Sequence, residues 1–154
     1  MNNRSFIIKY PEAVVFTDTQ LKNFWTHGEI DVSKDLQDFK TKLTPSEQHG
    51  VSEVLKLFTA YEVFAGVDYW GGRILQHYKD VPEICRMAST FSMMELAVHQ
   101  PFYMKLNEVV GLHTQEFYNS YKADPILEDR MGFIDNLLNK NSILLNLAVF
   151  SLIE

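Results

Sequence analysis

Apolar positions recur at three- and four-residue intervals along most of the chain, the period of an α-helix rather than the alternation of a strand. The clearest run opens at Thr44-Pro45-Ser46-Glu47. This is a capping box with proline at the first helical position: the Thr44 hydroxyl accepts from an orphan N–H, and Glu47 reaches back. The pattern then continues to about residue 78. A second start, Asp80-Val81-Pro82-Glu83, opens a helix expected to reach Val110 and to stop at Gly111. Pro101 lies inside it and removes one backbone hydrogen bond, so a kink or bulge is expected there. Shorter helices are expected over 19–25, 33–43, 114–121 and 124–138, the last opened by Asp124-Pro125. Residues 5–16, β-branched and aromatic around Pro11, read as an extended arm. Two helices of roughly 30 residues exceed the usual 8–20 and point to an all-α bundle.

A last helix is expected over 142–154. Ile143, Leu144, Leu145, Leu147, Ala148, Val149, Phe150, Leu152 and Ile153 cover every side of it, so it must be surrounded by protein. It is too short to span a bilayer, which takes about 20 residues. It also carries no C-cap and no polar final turn before Glu154. A short buried terminal helix is one reading. The sharper one is that the domain continues on another polypeptide.

The two long helices each carry polar groups on an otherwise apolar stripe. On the first the stripe runs Val54, Leu57, Tyr61, Phe64, Asp68, Leu75. On the second it runs Cys85, Ala88, Ser92, Glu95, His99, Phe102, Leu106, Val109, with Tyr103 one turn beyond His99. Residues i and i+4 lie about 40° apart on a helix, so Glu95 and His99 face the same way. A buried carboxylate without a partner is very unfavourable. Asp68 therefore needs an arginine such as Arg73, a cluster of N–H donors or a metal, and His99 is either a hydrogen-bonded core histidine or a ligand. Carboxylates with imidazole suit iron, manganese or zinc. A bundle di-metal site takes one carboxylate from each of two helices and a Glu/His pair from each of two others. Asp68 with Glu95 and His99 is half that set, an incompleteness that agrees with the unfinished last helix.

Composition narrows the function classes. Apolar residues make up 46% and charged residues 22% of 154, enough for one domain with a core. The net charge of −6 speaks against nucleic-acid binding, which needs phosphate-neutralising Lys and Arg. Cys85 is alone, so neither an internal disulfide nor a Cys-based zinc site forms, which fits a cytoplasmic protein. No signal peptide or membrane span is visible.

Three segments resemble the radical-generating small subunit of class I ribonucleotide reductase, a ferritin-like bundle. Asp68-Tyr69-Trp70-Gly71-Gly72-Arg73 matches an Asp-x-x-x-Gly-Arg pattern whose Asp is a metal ligand in that family. The segment from Phe91 through Glu95 and His99 to Tyr103 is similar to the family's Glu/His helix, where a Tyr four residues after the His is the radical site in many members. Asn23-Phe24-Trp25 looks like the segment whose Trp relays the electron. The family's spacing is Glu-x-x-His, whereas this chain has Glu-x-x-x-His with Leu96 three before the His; a π-bulge near Pro101 would adjust the phase.

The resemblance spans nearly the whole chain but only the N-terminal half of the family's small subunit. It implies that residues 1–154 are one N-terminal portion of a ferritin-like di-metal carboxylate domain, from a split, phage-encoded gene. It also implies a di-iron cofactor, or manganese or mixed Mn/Fe, with Asp68, Glu95 and His99 as ligands, Tyr103 as radical site and Trp25 as relay. The implied partners are the C-terminal half of the small subunit and the large catalytic subunit, with small subunits pairing as a dimer. The implied activity is reduction of ribonucleotides to deoxyribonucleotides by the complete assembly, the fragment alone being inactive. Two other readings stay open: a fragment of another ferritin-like di-metal oxidase or hydroxylase, and a non-catalytic helical interaction protein.

Overall fold

The computed structural model describes residues 6–140 and 142–153, and among them there are helices and no strand. Ser5 and Glu154, at the ends of the expected arm and of the last helix, lie outside the described residues. The chain forms two compact units, Met1–Thr114 and Gln115–Glu154. No described helix is long and apolar enough to cross a membrane.

The first unit is organised by the two long helices. One is continuous from α3 (Pro45–Val63) through a π segment (Phe64–Ile74) to a last turn, α4 (Leu75–His77). The other runs from α5 (Pro82–Met94) through a second π segment (Glu95–His99) into α6 (Gln100–Val109). The expected capping box opens α3: the Glu47 carboxylate accepts from the Thr44 N–H at 2.8 Å and from its hydroxyl at 2.7 Å, and Thr44 Oγ1 accepts from the Glu47 N–H at 3.3 Å. These two donors hold the Glu47 carboxyl below its ordinary pKa. The second long helix stops, as expected, at Gly111, whose φ of 80° is open only to residues that tolerate the left-handed region.

The helices run antiparallel, α3 against α6 and the first π segment against α5. They approach closely at Gly66, where an added Cβ would lie 2.6 Å from Leu96 Cγ and 3.2 Å from Glu95 Cβ. The Ser92 hydroxyl crosses this gap and donates to the Gly66 carbonyl at 2.7 Å. The wide turn has a steric cause as well. A Cβ on Gly71 would sit 2.8 Å from the Gly66 carbonyl oxygen, five residues back, so only glycine lets that turn close without a collision.

The expected extended arm is corrected. Residues from Pro11 onward form α1 (Pro11–Lys22), with Pro11 in its first turn. Local β preference is overridden by tertiary contacts: α1 packs along α5 and buries Ala13 and Thr17. The Glu83 carboxylate, 4% exposed, accepts from the N–H of Lys9 at 2.7 Å and of Tyr10 at 3.1 Å, satisfying donors just before the helix. After α1 come a 3₁₀ turn (His27–Glu29) and α2 (Asp35–Lys42), the second close to expectation.

In the second unit, α7 (Gln115–Asn119) and a 3₁₀ turn (Ser120–Ala123) lead to α8 (Pro125–Leu138). Asp124 caps α8 as its sequence signal predicts, accepting from the Ile126 N–H at 2.9 Å. The last helix, α9 (Ile143–Ile153), packs on α8. Its Asn146 is buried and donates to the Leu137 and Leu138 carbonyls at 2.9 and 3.4 Å, finishing the end of α8. Val149 and Phe150 are buried, whereas Leu144 and Leu152 are 76% and 87% exposed.

Candidate metal centre

Three side chains converge where α3 faces the second π segment. His99 Nδ1 lies 2.6 Å from Glu95 Oε2 and 3.8 Å from Glu62 Oε2. One donor atom from each residue lies within 4.8 Å of the other two. The Glu62 and Glu95 side chains are 17% and 10% exposed and that of His99 is 32% exposed, so the cluster is half-buried and open on one side.

The expected Glu95/His99 pairing is present, and the backbone explains the spacing. Glu95–His99 is itself the π segment, so the residue in excess of a Glu-x-x-His motif is absorbed by a wider turn. The kink expected at Pro101 takes this form: Pro101 sits in the first turn of α6, immediately after the π segment.

Asp68 is not part of the cluster. It is exposed, and the carboxylate that α3 brings to Glu95 and His99 is Glu62. The stripe traced through Phe64 and Asp68 assumed uninterrupted α-helical phase. The π segment beginning at Phe64 breaks that phase, so Asp68 turns outward. Glu62 had a sequence signal of its own, four residues after Phe58 and seven after Leu55, an acid closing a run of apolar positions on α3.

Electrostatics show what the cluster lacks. Burial pushes the Glu62 carboxyl up to about 7; the contact with Glu95 adds to this, and His99 partly offsets it. Burial also raises Glu95, but its hydrogen bonds with His99 and Glu62 outweigh that and leave it below its ordinary value. Glu62 and then Glu95 hold the His99 imidazolium up to about 10, against the opposing effect of its burial. Two carboxylates share one small space, and their repulsion is relieved by protons on Glu62 and His99. A divalent cation would relieve it in the same way, and a set of two carboxylates and one imidazole suits a first-row transition metal.

The two aromatic candidates flank the cluster. The Trp25 ring stacks on His99, with centroids 5.9 Å apart and planes at 28°, and meets Phe102 edge-on at 5.5 Å. Tyr103, one turn beyond His99, packs against Phe58 at 5.3 Å and Phe102 at 5.8 Å. His99, Trp25, Phe102, Tyr103 and Phe58 thus form, in that order, an unbroken series of ring contacts.

The family model for the ribonucleotide reductase small chain matches residues 2–154. The chain is 29% identical over 128 residues to the ribonucleoside-diphosphate reductase subunit beta of Halalkalibacterium halodurans, covering 82% of this chain and 36% of that protein. It is 24% identical over 135 residues to a probable ribonucleoside-diphosphate reductase small subunit of Invertebrate iridescent virus 6, covering 88% of this chain and 36% of that one. Over 55 residues it is 46% identical to the small chain of Schizosaccharomyces pombe, 36% of this chain and 14% of that one. The chain therefore spans little more than a third of the length of the first two relatives. With a family match over nearly all its residues and an all-α fold, the chain belongs to the ribonucleotide reductase small chain family.

Proposed function

We propose that these residues supply half of the di-metal centre of a ribonucleoside-diphosphate reductase small subunit, with Glu62, Glu95 and His99 as ligands. The observation that carries this is the convergence of the three donors at the point where the two long helices meet. Glu62 takes the ligand role that the sequence motif suggested for Asp68. The centre, iron or else manganese or a mixed pair, supplies one-electron oxidising power when bound. Tyr103 is the residue that gives up an electron and its phenolic proton to become the stored radical. Phe58 and Phe102 pack on its ring. Trp25, in contact with the ligand His99, is the relay through which the electron passes to and from a separate large subunit that reduces the ribonucleotide.

The remaining carboxylate and second Glu/His pair come from sequence outside these residues, as the ligand arithmetic of a four-helix site requires. We read that complement as the C-terminal half of the small subunit, with the assembled small subunits pairing. Val51, Val54 and Phe58 on α3, with Val63, Val67 and Leu96 near the open side of the cluster, are exposed apolar side chains suited to receive its helices.

Metal analysis of the co-purified assembly tests the reading. The parent and Asp68→Asn should retain stoichiometric iron or manganese, and Glu62→Ala should lose it. An assembly without a transition metal, or one in which Asp68→Asn loses metal while Glu62→Ala keeps it, would overturn the assignment.

A further inference from the structure

Trp25 lies in a stretch without regular structure, between the end of α1 at Lys22 and the 3₁₀ turn at His27–Glu29. Its ring nevertheless meets His99 and Phe102 in defined orientations. Something must hold this segment against the second long helix.

The turn that follows Trp25 is stiff. Glu29 Oε1 accepts from both the N–H and the hydroxyl of Thr26, at 3.0 and 2.9 Å, and the Glu29 N–H donates to the Thr26 carbonyl at 2.9 Å. This closes residues 26–29 into one unit and leaves carbonyls at its end facing α6. There the Lys105 ammonium donates to the Ile30 carbonyl at 3.0 Å and to the His27 carbonyl at 3.4 Å. The same ammonium lies near Asp31, whose carboxyl is held low chiefly by the backbone N–H and side chain of Ser33 and to a smaller degree by Lys105.

The geometry points to Lys105 as a positioning residue for Trp25: it pins the 26–30 turn to the helix that carries His99 and so fixes the indole against the imidazole. Lys105 and His99 stand six residues apart on one helix, so a turn fastened at Lys105 presents Trp25 to His99 along a rigid rod. The ammonium suits the task, because two carbonyls approaching from different directions need a donor that can serve both. Without it, the loop keeps its ring contacts to this helix but loses the two hydrogen bonds that Lys105 donates. Electron exchange between neighbouring groups requires a held geometry, and a misplacement of about 1 Å can reduce a rate by as much as about 10²-fold.

This inference rests on the proposed relay role of Trp25, but its structural part is readable without it. Trp25 and Trp70 are the two tryptophans of the chain, so the difference in emission between assemblies carrying Trp70→Phe and Trp70→Phe with Trp25→Phe isolates the Trp25 emission. In the assembled small subunit, Lys105→Met should shift that emission to the red and raise its quenching by acrylamide. Metal content and the amplitude of the Tyr103 radical signal should stay at the parent level. Turnover with the large subunit should fall, by up to about 10²-fold. Lys105→Arg, which keeps several donors on one charged group, should restore emission and turnover together, whereas Lys105→Gln, neutral and shorter, should not. Thermal unfolding of each variant separates loss of the fold from loss of the tie. Unchanged Trp25 emission and quenching in a folded Lys105→Met would overturn the proposal, as would a shifted emission with full turnover. A parent assembly without metal would overturn the di-metal reading instead, and the emission measurement would still decide what Lys105 holds.

Discussion

Gly66 is where the two long helices touch, beside Glu95, and replacing it with alanine is a direct test of how the site is built. The new Cβ would stand 2.6 Å from Leu96 Cγ, 2.9 Å from its Cδ2 and 3.2 Å from Glu95 Cβ. Carbon atoms rest about 3.5–4.0 Å apart, so the shortfall against Leu96 is about 1 Å. Leu96 can swing partly into solvent, but Glu95 Cβ is fixed to the backbone of the π segment and can yield only if the helices part. Overpacking of this kind costs about 1–3 kcal/mol. Alanine regains about 1 kcal/mol of helix propensity over glycine, so the expected net is a destabilisation of roughly 0–2 kcal/mol. Gly50, on the exposed side of the same helix, has nothing within 4 Å of its ideal Cβ, so Gly50→Ala should instead stabilise by up to about 1 kcal/mol. Denaturant unfolding of the metal-free chain reads this difference in sign. Parting the helices also draws Glu62 away from His99, so NMR titration of the imidazole should show its pKa, about 10 in the parent, falling towards 6.5. If Gly66→Ala matched Gly50→Ala in stability and left the His99 titration in place, the close approach would have no bearing on the site.

Two further outcomes follow from the geometry. In the metal-free chain, Glu62 titrates near 7 rather than 4.5 and His99 near 10 rather than 6.5, so the folded state holds protons that the unfolded state has released. Stability should therefore fall as pH rises from about 5 to about 10, first through Glu62 and then through His99; His99→Gln should flatten the upper part of that slope, and a melting temperature that rose with pH over this range would contradict the cluster. Saturating metal displaces the same protons and should remove the slope. In the second unit, Asn146→Ala removes the donor to the Leu137 and Leu138 carbonyls and should destabilise by about 1–3 kcal/mol, read as faster amide exchange along α8 and α9.

What could be read from the sequence was what neighbours in the chain decide. Thr44 with Glu47, and Asp124 ahead of Pro125, announce their helices because the capping partners are three residues away or fewer. Glu95 and His99 were legible for the same reason, one turn apart on one face. The misreadings have long-range causes. Residues 11–16 carry a β-leaning composition and become helical because Ala13 and Thr17 find α5 and Glu83 meets the N–H groups of Lys9 and Tyr10 just before them. Asp68 falls on the apolar stripe only if a 3.6-residue period is carried through Phe64, where the backbone widens into a π segment held by Gly66, Gly71 and Ser92. A periodicity argument cannot see where the period changes; the glycines at 66, 71 and 72 were its only local trace. Likewise the stacking of Trp25 on His99 depends on residues 74 positions apart and leaves no mark in either segment.

The Glu83 contact has a bearing on how the chain matures at the ribosome. Lys9 and Tyr10 leave the exit tunnel first, yet the carboxylate that accepts their N–H groups lies 73–74 residues later. At about 5–20 residues per second, the nascent chain spends roughly 4–15 s with the start of α1 exposed and unmet. Cover for the α1 face that buries Ala13 and Thr17 therefore arrives only when α5 emerges, an interval set by the sequence separation of one contact rather than by the size of the core.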